Sequence, residues 1–473
     1  MIDELKPYAD YKDFGSRWIA AVPSHWDVRN LRTLIRHRNE RDRPELPLLS
    51  VAREKGVFVR SLTNADENHN VIPEDLTNYK VARAGNLVIN KMKAWQGSMG
   101  IAPCDGIVSP AYFVYDFAIA NRAFGQTLLR SKPYVAHFGQ ASDGVRVGQW
   151  DLTISGMRNI PVVQPPPDEQ AAIVRFLDYA NSGLERAIRA KRKVIALLNE
   201  QKQAIIHRAV TRGLDPTAPL KPSGIAWLGD IPAHWEVMQL RQVLSFGPKN
   251  GISPPAPSTG GVLSFSISAV RDGRVRVEGN EKRVDLDAGL VGGLKIREGD
   301  ILLVRGNGNV ALVGKCGLVE NCPDDCVYPD ILMKMRPNER MAPAFLVAAI
   351  NSEYISSQVS TLAKTANGAF KVSGATVRSL LVVVPPLSEQ KAILDRVAAD
   401  ASEVNTAITR LEREIALLRE YRTRLVADVV TGKLDVRPAA ARLPAEPLAA
   451  VAVSDLPQPD VDEVTAELDQ TEA

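Results

Sequence analysis

Cysteine is scarce in this chain, with four in 473 residues. That is too few for a disulfide scaffold and fits a reducing compartment. No apolar run approaches the roughly 18 residues that a membrane span needs. The opening residues, MIDELKPYADYKDF, are polar and acidic and lack the apolar core of a secretion signal. The expectation is a cytoplasmic protein without a membrane association. Histidine is also rare, at six. His25 and His234 each precede a tryptophan, but no nucleophile and carboxylate recur beside them, so both read as packing or capping residues. There is no Asn-Pro-Pro-Tyr methyltransferase motif and no carboxylate-x-Lys nuclease cluster. The chain reads as non-catalytic.

Other site patterns fail on a missing part. GNGNVA (306–311) fits a dinucleotide fingerprint in spacing, but LVGKCGLV after it reads as a strand where that fold needs a helix. NVALVGKC has Asn309 for the first Walker glycine and Cys316 for the magnesium-binding hydroxyl. Cys316, Cys322 and Cys326 lie close together but have no histidine nearby to complete a zinc site. No cofactor or metal is expected on this chain.

The net charge is small, +3, but it is unevenly spread. From Leu443 onward there are eight acids and no lysine or arginine, so the rest of the chain carries +11. A basic body is compatible with a polyanionic partner. The Pro/Ala-rich acidic end, 436–473, reads as a disordered tail.

What is present is a duplication. VPSHWDV (22–28) recurs as IPAHWEV (231–237), with Trp18, Pro23, His25 and Trp26 matching Trp227, Pro232, His234 and Trp235 at an offset of 209. PPPDEQAAI (165–173) matches PPLSEQKAI (385–393) at an offset of 220. At that same offset, residues 187–215 and 407–435 are identical at 11 of 29 positions. The interiors, about 35–164 and 244–384, are much less alike. A period above 200 residues is no solenoid repeat. It describes two domains, each followed by its own connector.

The connectors read as long helices over 168–212 and 388–432, opened by Asp168 or Ser388 after a proline run. Ile408, Leu411, Ile415, Leu418, Leu425 and Val429 fall on 3–4 spacing, as do Ile188, Ile195, Leu198, Ile205 and Ala209. Lys191, Lys202 and Arg422 interrupt the stripes. Two similar stripes in one chain predict an antiparallel coiled coil along 188–209 and 408–429. The alternative is an amphipathic helix packed on its own domain.

The bodies read as mixed α/β. GNLVINK (85–91) and GDILLVR (299–305) are strands opened by turn residues, and the apolar, β-branched runs in RNIPVVQPPP and RSLLVVVPP, stopped by proline, are strands too. VGGLKI, VALVG and CVYPDILMKM add short strands, and Phe345–Ser352 is helical. Cations end the matched strands, Lys91 in one and Arg305 in the other. Around them lie Lys93, Trp95 and Gln96, then Asn307 and Lys315. Arg146 and Lys371 follow glycine turns in SDGVRV and ANGAFKV. Lysine and arginine suit phosphate, and Arg, Lys, Asn and Gln suit base edges, so these nine residues are the candidate DNA-binding set.

This layout resembles the specificity subunit of type I restriction–modification systems over nearly all of residues 15–435. The resemblance rests on the repeated W-x4-P-x-H-W lead-in, the G-D-I-L-x-x-R strand, the PP-x-x-EQ helix start and the long helix ending in T-x-x-L-D. It implies an α+β protein with two target-recognition domains, joined by two long helices in an antiparallel coiled coil. On that plan 1–17 is an N-terminal segment, 18–164 the first recognition domain and 165–214 the central helix. The second domain is 215–384, the distal helix 385–435, and the tail after it is not required. The resemblance implies double-stranded DNA as ligand, read as a split asymmetric site with one domain per half-site. Its implied partners are two methyltransferase subunits and restriction subunits, which use S-adenosylmethionine, ATP and Mg. A bivalent coiled-coil scaffold that binds proteins is the alternative, and steep salt dependence of DNA binding separates the two.

Overall fold

The computed structural model describes residues 5–444 except 62–72, 74, 145–149, 226, 254–256, 287, 324 and 367–368. It divides into two units, Met1–Lys191 with Arg413–Ala473, and Arg192–Glu412.

In the first unit, β1 (Asp27–Asn30) leads to β2 (Ile35–Arg38), β3 (Leu87–Asn90), β4 (Met99–Ile101) and β5 (Tyr112–Phe117). These four last strands form an antiparallel sheet in the order β2-β5-β3-β4. Two short helices follow, α1 (Arg122–Leu129) and α2 (Lys132–Gln140). Strand β6 (Pro161–Gln164) then returns to pair with β1, Val163 opposite Val28. The chain leaves through α3 (Pro167–Arg212).

Strand β3 is fully buried because both its faces are used. Leu87 and Ile89 pack with Phe124, Leu128 and Phe138, while Val88 packs with Leu49 and Val114 on the other face. Gly85, just before it, has φ +87°, a left-handed conformation that strains any residue with a Cβ, and the Arg122 guanidinium lies over it.

The second unit repeats this plan. It holds β7 (Glu236–Gln239), β8 (Leu244–Asn250), β9 (Ile301–Val304), β10 (Cys316–Val319) and β11 (Leu332–Pro337). Helices α4 (Pro343–Ile350) and α5 (Glu353–Leu362) precede β12 (Leu381–Val384), which pairs with β7, and α6 (Leu387–Val430) leaves. The sheet order β8-β11-β9-β10 matches the first unit and is extended by Arg274–Val275 and Val270–Arg271. Ile301 and Leu303 face one core and Leu302 and Val304 another.

Matched polar positions keep the frame with different chemistry. The Arg83 amide donates to Asn86 Oδ1 at 2.8 Å, and the Arg297 amide donates to Asp300 Oδ2 at 2.9 Å. Across the sheet, Asn86 donates to Asp116 at 3.1 Å, whereas fully buried Asp300 pairs with Arg336 at 2.6 Å. The acid has moved from one strand to the other.

Three expected strands are corrected. VGGLKI lies largely in a helix, Ala288–Leu294, since a Gly-Gly pair has no side chains for a sheet face. VALVG holds a single 3-10 turn, Val310–Leu312, capped by the Asn309 side chain. CVYPDILMKM is a strand only from Leu332, after the proline. The helix expected over 345–352 is Pro343–Ile350. The tail expected from 436 is folded as far as 444, with Val436, Ala439, Ala440 and Leu443 buried and Arg175 donating to the Leu443 carbonyl at 2.7 Å. Residues 445–473 lie outside the described residues.

The start of each long helix is fastened to the lead-in of its unit. Glu169, in the first turn of α3, has a side chain only 2% exposed. It accepts from Tyr8 Oη at 2.5 Å and Trp26 Nε1 at 3.0 Å, and its other oxygen meets His25 Nε2 at 2.8 Å. Beside it, Gln170 donates to the Pro165 carbonyl and accepts from the Asn121 amide at the cap of α1. Gln390 does the same with Pro385 and the Ala342 amide at α4. In the second unit Glu389 meets His234 at 2.8 Å, but it is 25% exposed and buried Trp235 Nε1 has no hydrogen-bond partner. His25 and His234 are thus packing residues with a defined partner.

The two long helices meet within each unit, and their burial follows the 3–4 stripe. In the first unit Ile188, Ile415, Leu425 and Val429 are buried. Lys191 bonds Glu414 at 2.5 Å and Arg422 bonds Glu185 at 3.2 Å, so one number falls as the other rises and the segments run antiparallel. In the second unit Ala209 and Val404 are buried and Lys202 bonds Asn405 at 2.9 Å. Each polar interruption of the stripe has a polar partner across the seam, which sets register. Among the described residues, no helix is long and apolar enough to cross a membrane.

Two stability outcomes are expected. Glu169→Ala leaves the buried donors of Tyr8 and Trp26 without this acceptor and frees exposed His25, and it should cost about 2–5 kcal/mol, whereas Glu389→Ala should cost only about 1 kcal/mol, read as urea midpoints by tryptophan fluorescence. Lys191→Glu should cost roughly 1 kcal/mol through repulsion with Glu414, and adding Glu414→Lys should restore the wild-type midpoint.

Candidate nucleic-acid interface

Lys91, Lys93, Trp95 and Gln96 lie where β3 ends, and Arg305, Asn307 and Lys371 where β9 ends. Alternation along each strand puts the next side chain on the core face, but the core stops there, so a cation emerges. The two ends are held by the same backbone bond. The Leu152 amide donates to the Lys91 carbonyl at 2.8 Å, and the Val372 amide donates to the Arg305 carbonyl at 2.9 Å. Lys91 and Arg305 therefore hold one structural place in two unlike bodies.

In the first unit Lys91 Nζ lies 2.9 Å from Asp151, both partly exposed. Lys93 is exposed and Gln96 half-buried. Trp95 leans on Trp150, ring centroids 5.4 Å apart, and its Nε1 donates to the Met92 carbonyl. Behind this edge, Lys80 donates to the Tyr112 carbonyl at 2.6 Å. Burial, with the nearby charges of Arg41 and Lys91, holds the Lys80 ammonium below the usual lysine range. Burial and the Lys80 charge also lower His37. Crowded cations of this kind make a field that favours an anion.

In the second unit a small sheet brings Arg305, Asn307 and Lys371 together. Residues 306–307 pair with 370–371, Gly306 opposite Lys371. A Cβ on Gly306 would lie 2.9 Å from Lys371 Cγ, so glycine lets the lysine stem cross the backbone. The Arg305 guanidinium reaches the Asp330 carbonyl at 3.4 Å, while its Nε has no partner. Asn307 Oδ1 accepts from the Asn309 amide and orders the loop.

Lys315 is not part of this group. Its ammonium donates to the Asn351 carbonyl and Ser356 Oγ, both at 3.1 Å, and burial lowers its pKa. It fastens β10 to the α4–α5 turn, a structural role that one-dimensional spacing from Arg305 could not reveal. Arg146 lies outside the described residues. Sequence reasoning missed Asp151, Trp150 and Asp330, because each comes from a distant segment. Cys316 and Cys326 are buried, and no group of three metal-binding side chains occurs among the described residues.

No family model matches the chain. It is 25% identical over 334 residues to the type I restriction enzyme EcoKI specificity subunit of Escherichia coli (strain K12), covering 70% of this chain and 68% of that one. Over 280 residues it is 22% identical to the type I restriction enzyme MjaVIII specificity subunit of Methanocaldococcus jannaschii, covering 59% of this chain and 63% of the relative. Its relatives are specificity subunits of type I restriction enzymes. The fold agrees. A structure solved in work on complex assembly and conformational transition of the type I R-M system superposes with a TM-score of 0.53, at 18% identity, over 87% of this chain and 99% of that one. In sequence, then, the chain is similar to specificity subunits of type I restriction enzymes, and in fold to a chain of a type I R-M system.

Proposed function

We propose that this chain is the DNA-specificity subunit of a cytoplasmic type I restriction–modification complex. Each unit reads one half of a split, asymmetric site in double-stranded DNA. The observation that carries this reading is one sheet frame occurring twice, with the same backbone bond at Lys91 and Arg305 but unlike residues at the tips. A homodimer of one reader matches a palindrome, whereas a duplicated chain with unlike tips does not have to. Lys91, Lys93, Arg305 and Lys371 contact phosphate, and Gln96 and Asn307 face base edges.

Two methyltransferase subunits and restriction subunits join the chain and supply the chemistry with S-adenosylmethionine, ATP and Mg. This chain does neither cleavage nor methyl transfer. Exposed apolar side chains on the long helices, Val194 and Leu197 on α3 and Leu417 and Tyr421 on α6, support protein partners there.

Exchanging residues 35–164 for the corresponding body of another specificity subunit should change one half of the recognised site and leave the other intact, as mapped by methylated bases across a genome. A change in both halves would refute independent reading. Arg305→Ala should weaken binding to every duplex and reduce the steepness of its salt dependence by about one contact, with sequence preference kept. Titrations of cognate and non-cognate duplexes at several salt concentrations measure this, and relaxed preference at a single base with an unchanged slope would make Arg305 a base reader.

A further inference from the structure

The strand-end connections carry a feature that phosphate binding does not use. In each unit the connection, β3 to β4 or β9 to β10, closes with one turn of 3-10 helix, Ala94–Gln96 or Val310–Leu312. A left-handed glycine follows each turn, Gly97 at φ +89° and Gly314 at φ +83°. A Cβ on Gly97 would lie 3.0 Å from Val135 on α2, and one on Gly314 would lie 2.9 Å from Val359 on α5. Each tip is therefore seated tightly on a helix of its own unit. Internal bonds stiffen it further. Asn90 Oδ1 accepts from the Met92 amide in one loop, and Asn309 Oδ1 accepts from the Ala311 amide in the other.

These rigid tips expose apolar side chains. Counting back from the glycine, Trp95 and Leu312 hold the same place. Leu312 is 45% exposed. In the first unit Trp95 leans on Trp150 and carries Met92, which is 53% exposed, on its Nε1 bond. Lys91 and Lys93 flank Met92, and Arg305, Asn307 and Asn309 lie on the way to Leu312. Single exposed apolar residues are ordinary on a surface. Ile154, also exposed, has Gly374 at its matched place. An apolar tip among polar and cationic neighbours, in the same connection of two divergent bodies, is different. Phosphate gives such a side chain nothing to bury against, and the deoxyribose C–H edge gives it little and no sequence information. The apolar surfaces that a duplex offers are thymine methyl groups in the major groove and base faces at an opened step.

We infer that Met92, braced by Trp95, and Leu312 each read one half-site by burying against the apolar surface of a base. This rests on the DNA-specificity reading above and adds two residues to it. The test uses the full-length chain with its co-purifying subunits and a pool of duplexes with a randomised centre. Selection by the wild-type protein should return a two-part motif. Met92→Ala should blur one or two adjacent positions in one part, Leu312→Ala should do so in the other, and each should weaken the selected duplex about tenfold, as loss of a few buried carbon groups predicts. The salt slope should not change, and Met92→Leu should retain wild-type selection. Replacing thymine by uracil at the affected position, or a fluorescence change of 2-aminopurine placed there, distinguishes a methyl contact from a base-face contact, and either supports the inference. Variants that select the wild-type motif with wild-type affinity overturn it, as do variants that both blur the same part. A wild-type protein that selects no motif overturns the DNA reading itself, a result distinct from silent variants.

Discussion

The arrangement depends on a buried carboxylate at the start of a long helix. Burying a charge is costly unless hydrogen bonds and a favourable field offset it. Glu169 has both. It sits in the first turn of α3, where the helix dipole favours an acid, and it accepts from Tyr8 and Trp26 while meeting His25. These partners come from the N-terminal segment and the lead-in, so one side chain fixes where the chain enters its unit relative to the helix that leaves it. Gln170 adds the cap of α1 to the same point. A body hung on such a fastening can change its surface without moving its support.

The second fastening is looser. Among the described residues, Glu389 keeps the histidine but no counterpart of Tyr8 bonds to it, and the indole N–H of Trp235 has no partner. In the first unit the closure also includes the segment after α6. Asp435 pairs with Arg437, which lies over the Tyr8 ring at 5.0 Å, and Lys6 bridges to Asp435. The physical difference is continuity. In the second unit α3 runs on into the lead-in through Gly213 as a single chain. In the first, segments about 430 residues apart in the chain meet at Tyr8, and extra side-chain bonds join them.

Divergence between the bodies is also physical in origin. A sheet frame is held by backbone pairing and by burial of alternate side chains, and many residues satisfy both. Asn86 with Asp116 and Asp300 with Arg336 solve one problem with the acid on opposite strands. A residue-by-residue comparison counts such pairs as unrelated, although the frame is unchanged. What must stay constant is the backbone bond that ends the central strand. What is free to vary is the tip beyond it, where a reader of different sequences needs variety.

The sequence by itself determined the duplication and the two long striped helices. Periodicity and repetition are one-dimensional properties, and a helix turns them directly into a buried stripe. It also placed Lys91 and Arg305, because alternation along a strand forces a cation out at its end. It could not show that Lys191, Lys202 and Arg422 are cross-helix partners and not defects, since their acceptors Glu414, Asn405 and Glu185 lie some 200 residues away in the chain. Nor could it separate Lys315, bonded inward to Asn351 and Ser356, from Lys371, brought beside Arg305 by a glycine crossing. Those assignments turn on which distant segments share a few ångströms of space, and only the tertiary structure decides that.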